Sequence, residues 1–296
     1  MTWEQRAQQF VFQQRLESIV ATLNKELSTN ISVLLGLNSF FQSSQHVERE
    51  EFSTYTRSVL SRYDTIQALE WVPKIAASER ENHEQQARNN GLTNYKISQD
   101  SPDGMLHVTD KRDDYFPVFY IEPLSGNEGV IGFDLGSNAS RLALLQQSAV
   151  VGEAQASSGI ELIQGELGVL IAVPLFKGEP QQLLGFTVGV YRIERMISQV
   201  FKEIHIKSSD FNLEIIDTTP AEDPLLLFST LDAGFSKEME VYTAALFFAG
   251  RNWMVSLAPS TGYLNRHTII GPWLILVAGL LLSKSELPSG AAHQGA

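Results

Sequence analysis

Asp113-Asp114-Tyr115-Phe116-Pro117-Val118-Phe119-Tyr120-Ile121-Glu122-Pro123-Leu124-Ser125-Gly126-Asn127 is the stretch from which the rest of the chain is read. Two acids and a tyrosine lead through a proline into an apolar run, which Pro-Leu-Ser-Gly-Asn closes as a turn. Aromatic and β-branched residues bounded by turn formers make a strand, and acids and an aromatic at its mouth suit entry into a cleft. Upstream, residues 66–73 alternate apolar and polar and stop at a proline, which predicts another strand. A polar helix is expected over 76–90, stopped by Gly91, then a strand at 95–98 and a turn at 101–104. Downstream, 129–135 leads to a helix from about Ser140 to Ala149, with Ser140 or Asn138 able to cap it. Three strand-like runs follow, at 160–163, 168–176 and 183–191.

Strand, strand, helix and three antiparallel-type strands is the order of a PAS-like α+β sensor unit, expected over 63–192. A helix from 192 to about 203 leaves that unit. Runs at 211–217, 225–228, 237–241 and 253–259 predict a second, smaller sheet within 193–262. No internal repeat or low-complexity tract is visible.

Residues 1–62 are helical by pattern. From 3 to about 44, Leu16, Ile19, Leu23, Leu27, Ile31 and Leu34 recur three or four residues apart and form one apolar stripe. Gln13, Gln14, Arg15, Glu17, Lys25 and Glu26 occupy the opposite face. The stripe is longer than one small domain covers, so a stalk or the seam of a homodimer is expected, followed by a second helix over 46–62. At the other end, 269–282 is uncharged and apolar but shorter than the roughly 18 residues of a spanning helix. Trp273 beside Pro272 suits a membrane interface. The start of a transmembrane helix is therefore expected at 263–282, and 283–296 reads as an appended tail. No signal peptide is expected within the first residues, where Met1 leads straight into the polar helical pattern.

Composition narrows the function. Of 296 residues, 43% are hydrophobic, enough for ordinary globular cores. A formal net charge of -12 with no basic stripe speaks against nucleic acid as a partner. The absence of cysteine excludes disulfide scaffolds, thiolate metal sites and cysteine catalysis. Six histidines (His46, His83, His107, His205, His267 and His293) lack metal-ligand spacing. No nucleophile elbow or phosphate-binding loop is present, so no catalytic residue, metal or cofactor is expected.

Five motifs occur in one order: 68–73 (Ala-Leu-Glu-Trp-Val-Pro), 113–118, 122–127, 132–135 (Gly-Phe-Asp-Leu) and 173–175 (Val-Pro-Leu). The set closely resembles the CHASE domain, the extracellular sensor of bacterial receptors (histidine kinases and diguanylate cyclases) and of plant cytokinin receptors. The resemblance runs from the N-terminal helix to about residue 260. It implies a long N-terminal helix, then tandem PAS-like domains, one distal and one proximal to the membrane. It also implies an inner-membrane receptor with this domain in the periplasm and an output module outside this chain. In plant members an acid just after the Tyr-x-Pro-Val strand and a threonine on the next strand contact the ligand. Glu122 and Ser157 look like their counterparts by motif position.

The residues themselves suggest further contacts. Glu122, between Ile121 and Pro123, is either a turn-capping group or an acceptor for ligand N–H donors. Tyr115 and Tyr120 offer a ring wall and a phenol, and strand geometry turns only one of them into the cleft. Phe133, Leu135, Ile171 and Val173 alternate and suit an apolar lining, with core packing as the alternative. Asp113 and Asp114, beside Lys111 and Arg112, read as surface charge. The expected function is an extracytoplasmic sensor for an unknown small molecule, with a purine or another small metabolite as ligand. The alternative is a dimerisation or protein-interaction module without a small-molecule ligand.

Overall fold

A computed structural model describes residues 3–100, 106–162, 166–219, 222–231 and 240–268. Six helices fall among them: α1 (Trp3–Ser43), α2 (Arg49–Leu60), α3 (Arg80–Asn89), α4 (Ala139–Val151), α5 (Ile193–Glu203) and α6 (Thr261–Thr268). The strands are β1 (Ile66–Pro73), β2 (Ile75–Ala76), β3 (Ser98–Asp100), β4 (Leu106–Val108), β5 (Asp114–Tyr115), β6 (Tyr120–Glu122) and β7 (Gln155–Ala156). They continue with β8 (Ile160–Glu161), β9 (Leu167–Lys177), β10 (Gln182–Arg192), β11 (Phe211–Asp217), β12 (Leu225–Ser229), β13 (Tyr242–Phe248) and β14 (Arg251–Pro259).

Two antiparallel sheets hang on α1. The first has the order β6-β1-β10-β9-β7, with β8 also paired to β9. The second has the order β12-β11-β14-β13. The α+β class with a long N-terminal helix and PAS-like units is thus as expected. The apolar stripe of α1 is consumed inside the chain. Its first half packs on the second sheet, where Phe12 stacks on Tyr242 with ring centroids 6.0 Å apart. Its last turns pack on the first sheet, where Phe41 stacks on Trp71 at 4.3 Å and Asn38 donates to the Pro174 carbonyl at 3.0 Å. Leu16, Ile19, Leu23, Leu27 and Leu34 are all buried, each contributing roughly 1.5–3 kcal/mol if fully withdrawn from water. The stripe therefore gives no evidence for a dimer seam, because two sheets end to end cover what one domain could not.

β1, β9 and β10 are buried on both faces. One face meets the helices through Leu69, Trp71, Val169, Ile171, Val173 and Tyr191; the other forms a separate core with Ala68, Val72, Leu170, Ala172, Phe186 and Val188. The stretch 113–127 is not one strand. β5 pairs with β2, β6 pairs with β1, and Pro117 lies between them in a single bridge to Asp134. The strand expected at 95–98 begins only at Ser98, because Tyr95 and Ile97 pack with Ile75, Ala87 and Tyr115 in a small cluster of their own. The last strand pair is β13–β14, and β13 begins at Tyr242, later than the expected 237–241 run, of which 237–239 lie outside the described residues. The 269–282 segment and the 283–296 tail also lie outside them; within them no helix is long and apolar enough to cross a membrane.

Candidate functional site

A cavity of about 320 Å³ lies between the outer face of the first sheet and the elements that cover it, within the size range of small-molecule sites. Its floor is β1, β6, β9 and β10, through Ala68, Ile121, Leu170 and Val190. Its roof is the 127–135 loop and α4, through Phe133 and Arg141. Ile160 and Leu162 close one side, and Asp100 and Leu106 stand at another. Gly132 sets the roof. Its φ of +84° is open to glycine, and a Cβ there would stand 2.3 Å from the Lys96 carbonyl oxygen. That close approach lets the Gly132 carbonyl accept from Ser98 N–H at 2.9 Å and delivers Phe133 to the cavity.

Two charged side chains define the chemistry. Glu70 on β1 is 4% exposed, and its Oε2 has no hydrogen-bond partner. Desolvation pushes its carboxyl up from 4.5 to about 7, with Arg141 opposing the shift. Arg141 sits in the first turn of α4, whose Asn138 caps the helix by accepting from the Ser140 and Arg141 amides at 3.0 and 3.2 Å. Its guanidinium lies 5.0 Å from the Phe133 ring centroid. Burial lowers its pKa, opposed by Asp100 and Glu70. Among the described residues no ion pair closes the gap between Glu70 and Arg141. Among the described residues, a buried carboxyl oxygen without a donor and a guanidinium without an ion pair thus line one largely apolar cavity.

Of the residues singled out in the sequence, Phe133 and Leu135 line this cavity. Ile171 and Val173 belong to the helix-facing core, and their neighbour Leu170 takes the cavity position. The one-residue offset reverses the face because strand side chains alternate. Glu122 falls on the helix side for the same reason. It accepts from Ser53 Oγ at 2.7 Å and Arg57 Nε at 2.9 Å, fastening β6 to α2, while Ile121 faces the cavity. Tyr120 is likewise turned inward, tilted against Phe52 and donating to the Val47 carbonyl at 3.3 Å. Tyr115 packs under Arg80, which lies 4.8 Å from its ring, outside the lining. Ser157 is buried at the β7 end, accepting from Leu170 N–H at 3.0 Å and donating to the Ser158 carbonyl at 2.6 Å.

Glu70 and Arg141 were not singled out in the sequence. The available signal was a lone charge inside the apolar run Leu69-Glu70-Trp71-Val72. Nothing local marks Arg141, which reads as an ordinary first-turn residue of α4.

Comparison with known proteins bears on the same region. The crystal structure of the periplasmic sensory domain of the Campylobacter jejuni chemoreceptor Tlp1 has a TM-score of 0.53 at 8% identity, covering 87% of this chain and 96% of that one. An extracellular ligand binding receptor from Desulfohalobium retbaense gives a TM-score of 0.49 at 9% identity, covering 80% and 39%. Hybrid signal transduction histidine kinase A of Dictyostelium discoideum is 23% identical over 296 residues, matching 87% of this chain and only 13% of its own length. The CHASE domain family profile matches residues 45–228, from the turn before α2 through β12, and the cavity lies wholly within that span. The chain belongs to the CHASE domain family and is an extracellular sensor domain.

Proposed function

We propose that the cavity under Phe133 and Arg141 is the ligand site of this sensor and takes a small molecule. The observation that carries this reading is Glu70, a buried residue of the cavity lining whose carboxyl makes no hydrogen bond among the described residues. An unsatisfied buried acceptor costs on the order of 1–3 kcal/mol, more when charged, and a ligand donor removes that cost. The chain carries no catalysis in this reading. It works in the periplasm with the first sheet distal to the membrane and the second proximal, anchored in the inner membrane through flanking segments. It biases a histidine kinase or diguanylate cyclase belonging to the whole receptor. Two copies pair along the exposed side of α1, which carries Val11, Ala21, Ser28, Ser32 and Leu35.

A thermal-shift screen of purines, amino acids and carboxylates tests the site, run on the native chain and on Ala68→Phe, which fills the cavity from its floor. A hit should raise the melting temperature of the native chain and leave the folded variant unmoved. A hit that shifts both equally places the ligand elsewhere. No hit at all, with Ala68→Phe melting higher than the native chain, favours a module without a ligand.

A further inference from the structure

The cavity holds opposite charges that face the same space without touching each other. Glu70 rises from the sheet, and its neighbours across the pairing register are apolar, Ile121 on β6 and Val188 on β10. Arg141 reaches in from α4, its guanidinium carbon 5.0 Å from the Phe133 ring centroid, and among the described residues its side chain makes no ion pair. Asp100 on β3 stands at the exposed rim, and Gln67 and Asn127 are the uncharged polar groups of the lining. The remaining walls are aliphatic: Ala68, Ile121, Leu170, Ile160, Leu162 and Val190.

Resting on the ligand-site reading above, we infer that the cavity selects a small zwitterion with an apolar body, an aliphatic amino acid in chemical class. Its ammonium lies at Glu70 and its carboxylate at the Arg141 edge. A purely anionic ligand leaves Glu70 protonated and without a cation, and a purely cationic one leaves Arg141 without an anion. Burying either charge unpaired is expensive, so only a molecule with both poles satisfies the two groups at once. Apart from Gln67, Asn127 and Asp100 the walls are apolar, which favours a ligand with an apolar body. The raised pKa of Glu70 fits a carboxylate waiting for a cation: with Arg141 on α4 and Asp100 on β3 as the charged groups facing it among the described residues, an ammonium draws its proton off.

The test is isothermal titration of the purified chain with L-leucine and the other aliphatic L-amino acids. Two singly charged relatives, 3-methylbutylamine and 4-methylpentanoate, and neutral adenine serve as controls. At least one amino acid should bind tenfold or more tightly than its amine-only and acid-only relatives. Its affinity should rise from pH 6 to pH 8, with proton release seen as a dependence of the heat on buffer ionisation enthalpy. Glu70→Gln should weaken the amino acid at least tenfold and leave 4-methylpentanoate unchanged, whereas Arg141→Gln should weaken both. Folding of each variant is checked by its melting curve, and Glu70→Asp, which keeps the charge, should recover part of the affinity. Equal binding by a singly charged relative, no binding by any amino acid, or an amino acid indifferent to Glu70→Gln overturns the inference. Adenine binding that Ala68→Phe abolishes, with amino acids silent, overturns it while leaving the ligand site standing. Amino-acid binding that persists in Ala68→Phe overturns both.

Discussion

Glu70 makes the stability of the fold depend on pH in a defined direction. In the unfolded chain its carboxyl ionises near 4.5, and in the folded one burial raises that to about 7. Below 4.5 the group is protonated in both states and costs nothing. As pH rises from 4.5 through 7 the unfolded chain gives up the proton first, so stability falls, and above 7 the loss is complete at about 3 kcal/mol. Glu70→Gln cannot ionise. The stability difference between variant and native chain, measured by urea unfolding, should therefore grow in the variant's favour by about 3 kcal/mol between pH 4.5 and pH 8. A difference independent of pH would mean that Glu70 is solvated. The residue was visible in the sequence as a lone charge among apolar neighbours. Its direction was not, because a strand buried on both faces loses the alternation that tells inside from outside. The same loss put Ile171 and Val173 in the expected lining in place of Leu170, one residue away.

At the scale of elements, the 3.6-residue period made α1 legible almost to its ends, Trp3–Ser43 against an expected 3 to about 44. What the period could not say is what covers the stripe, since an apolar face reads alike whether it meets its own sheets or a second copy. Helix α2, Arg49–Leu60, falls within the expected 46–62, and at its start the Glu51 carboxylate accepts from Glu48 N–H at 2.9 Å. Its docking partner was hidden, because Glu122, 69 residues from Ser53, has a meaning only once β6 is paired with β1. Glu122→Ala removes the acceptor of both Ser53 and Arg57 and leaves Ile121 in the cavity. It should cost about 1–3 kcal/mol in urea unfolding, while the dissociation constant of any cavity ligand stays within twofold. A tenfold loss of affinity at unchanged stability would instead return Glu122 to the binding site.

At the scale of the molecule, the cavity and the second sheet share one short segment. Ala156 N–H donates to the Ala249 carbonyl at 2.8 Å, which ties β7 to the β13–β14 turn. Ser157 holds Leu170 of the cavity floor. Gly159 lies against Leu225 and Leu227 of β12, so tightly that a Cβ would come within 3.0 Å of both side chains. Ile160 and Leu162 then form the cavity wall. A ligand pressing on that wall moves a segment bonded on its other side to the second sheet, and α1 packs on both sheets at once. Such a link transmits only the difference in ligand affinity between two arrangements of the segment. Binding should therefore slow amide hydrogen exchange in β12 and in the 249–250 turn as well as around the cavity. Gly159→Val, which forces the segment away from β12, should keep the protection at the cavity and lose it in the second sheet. Protection that stops at the first sheet in the native chain would show that the segment ends the signal, leaving α1 and α5, which pack on both sheets, as the connections between them.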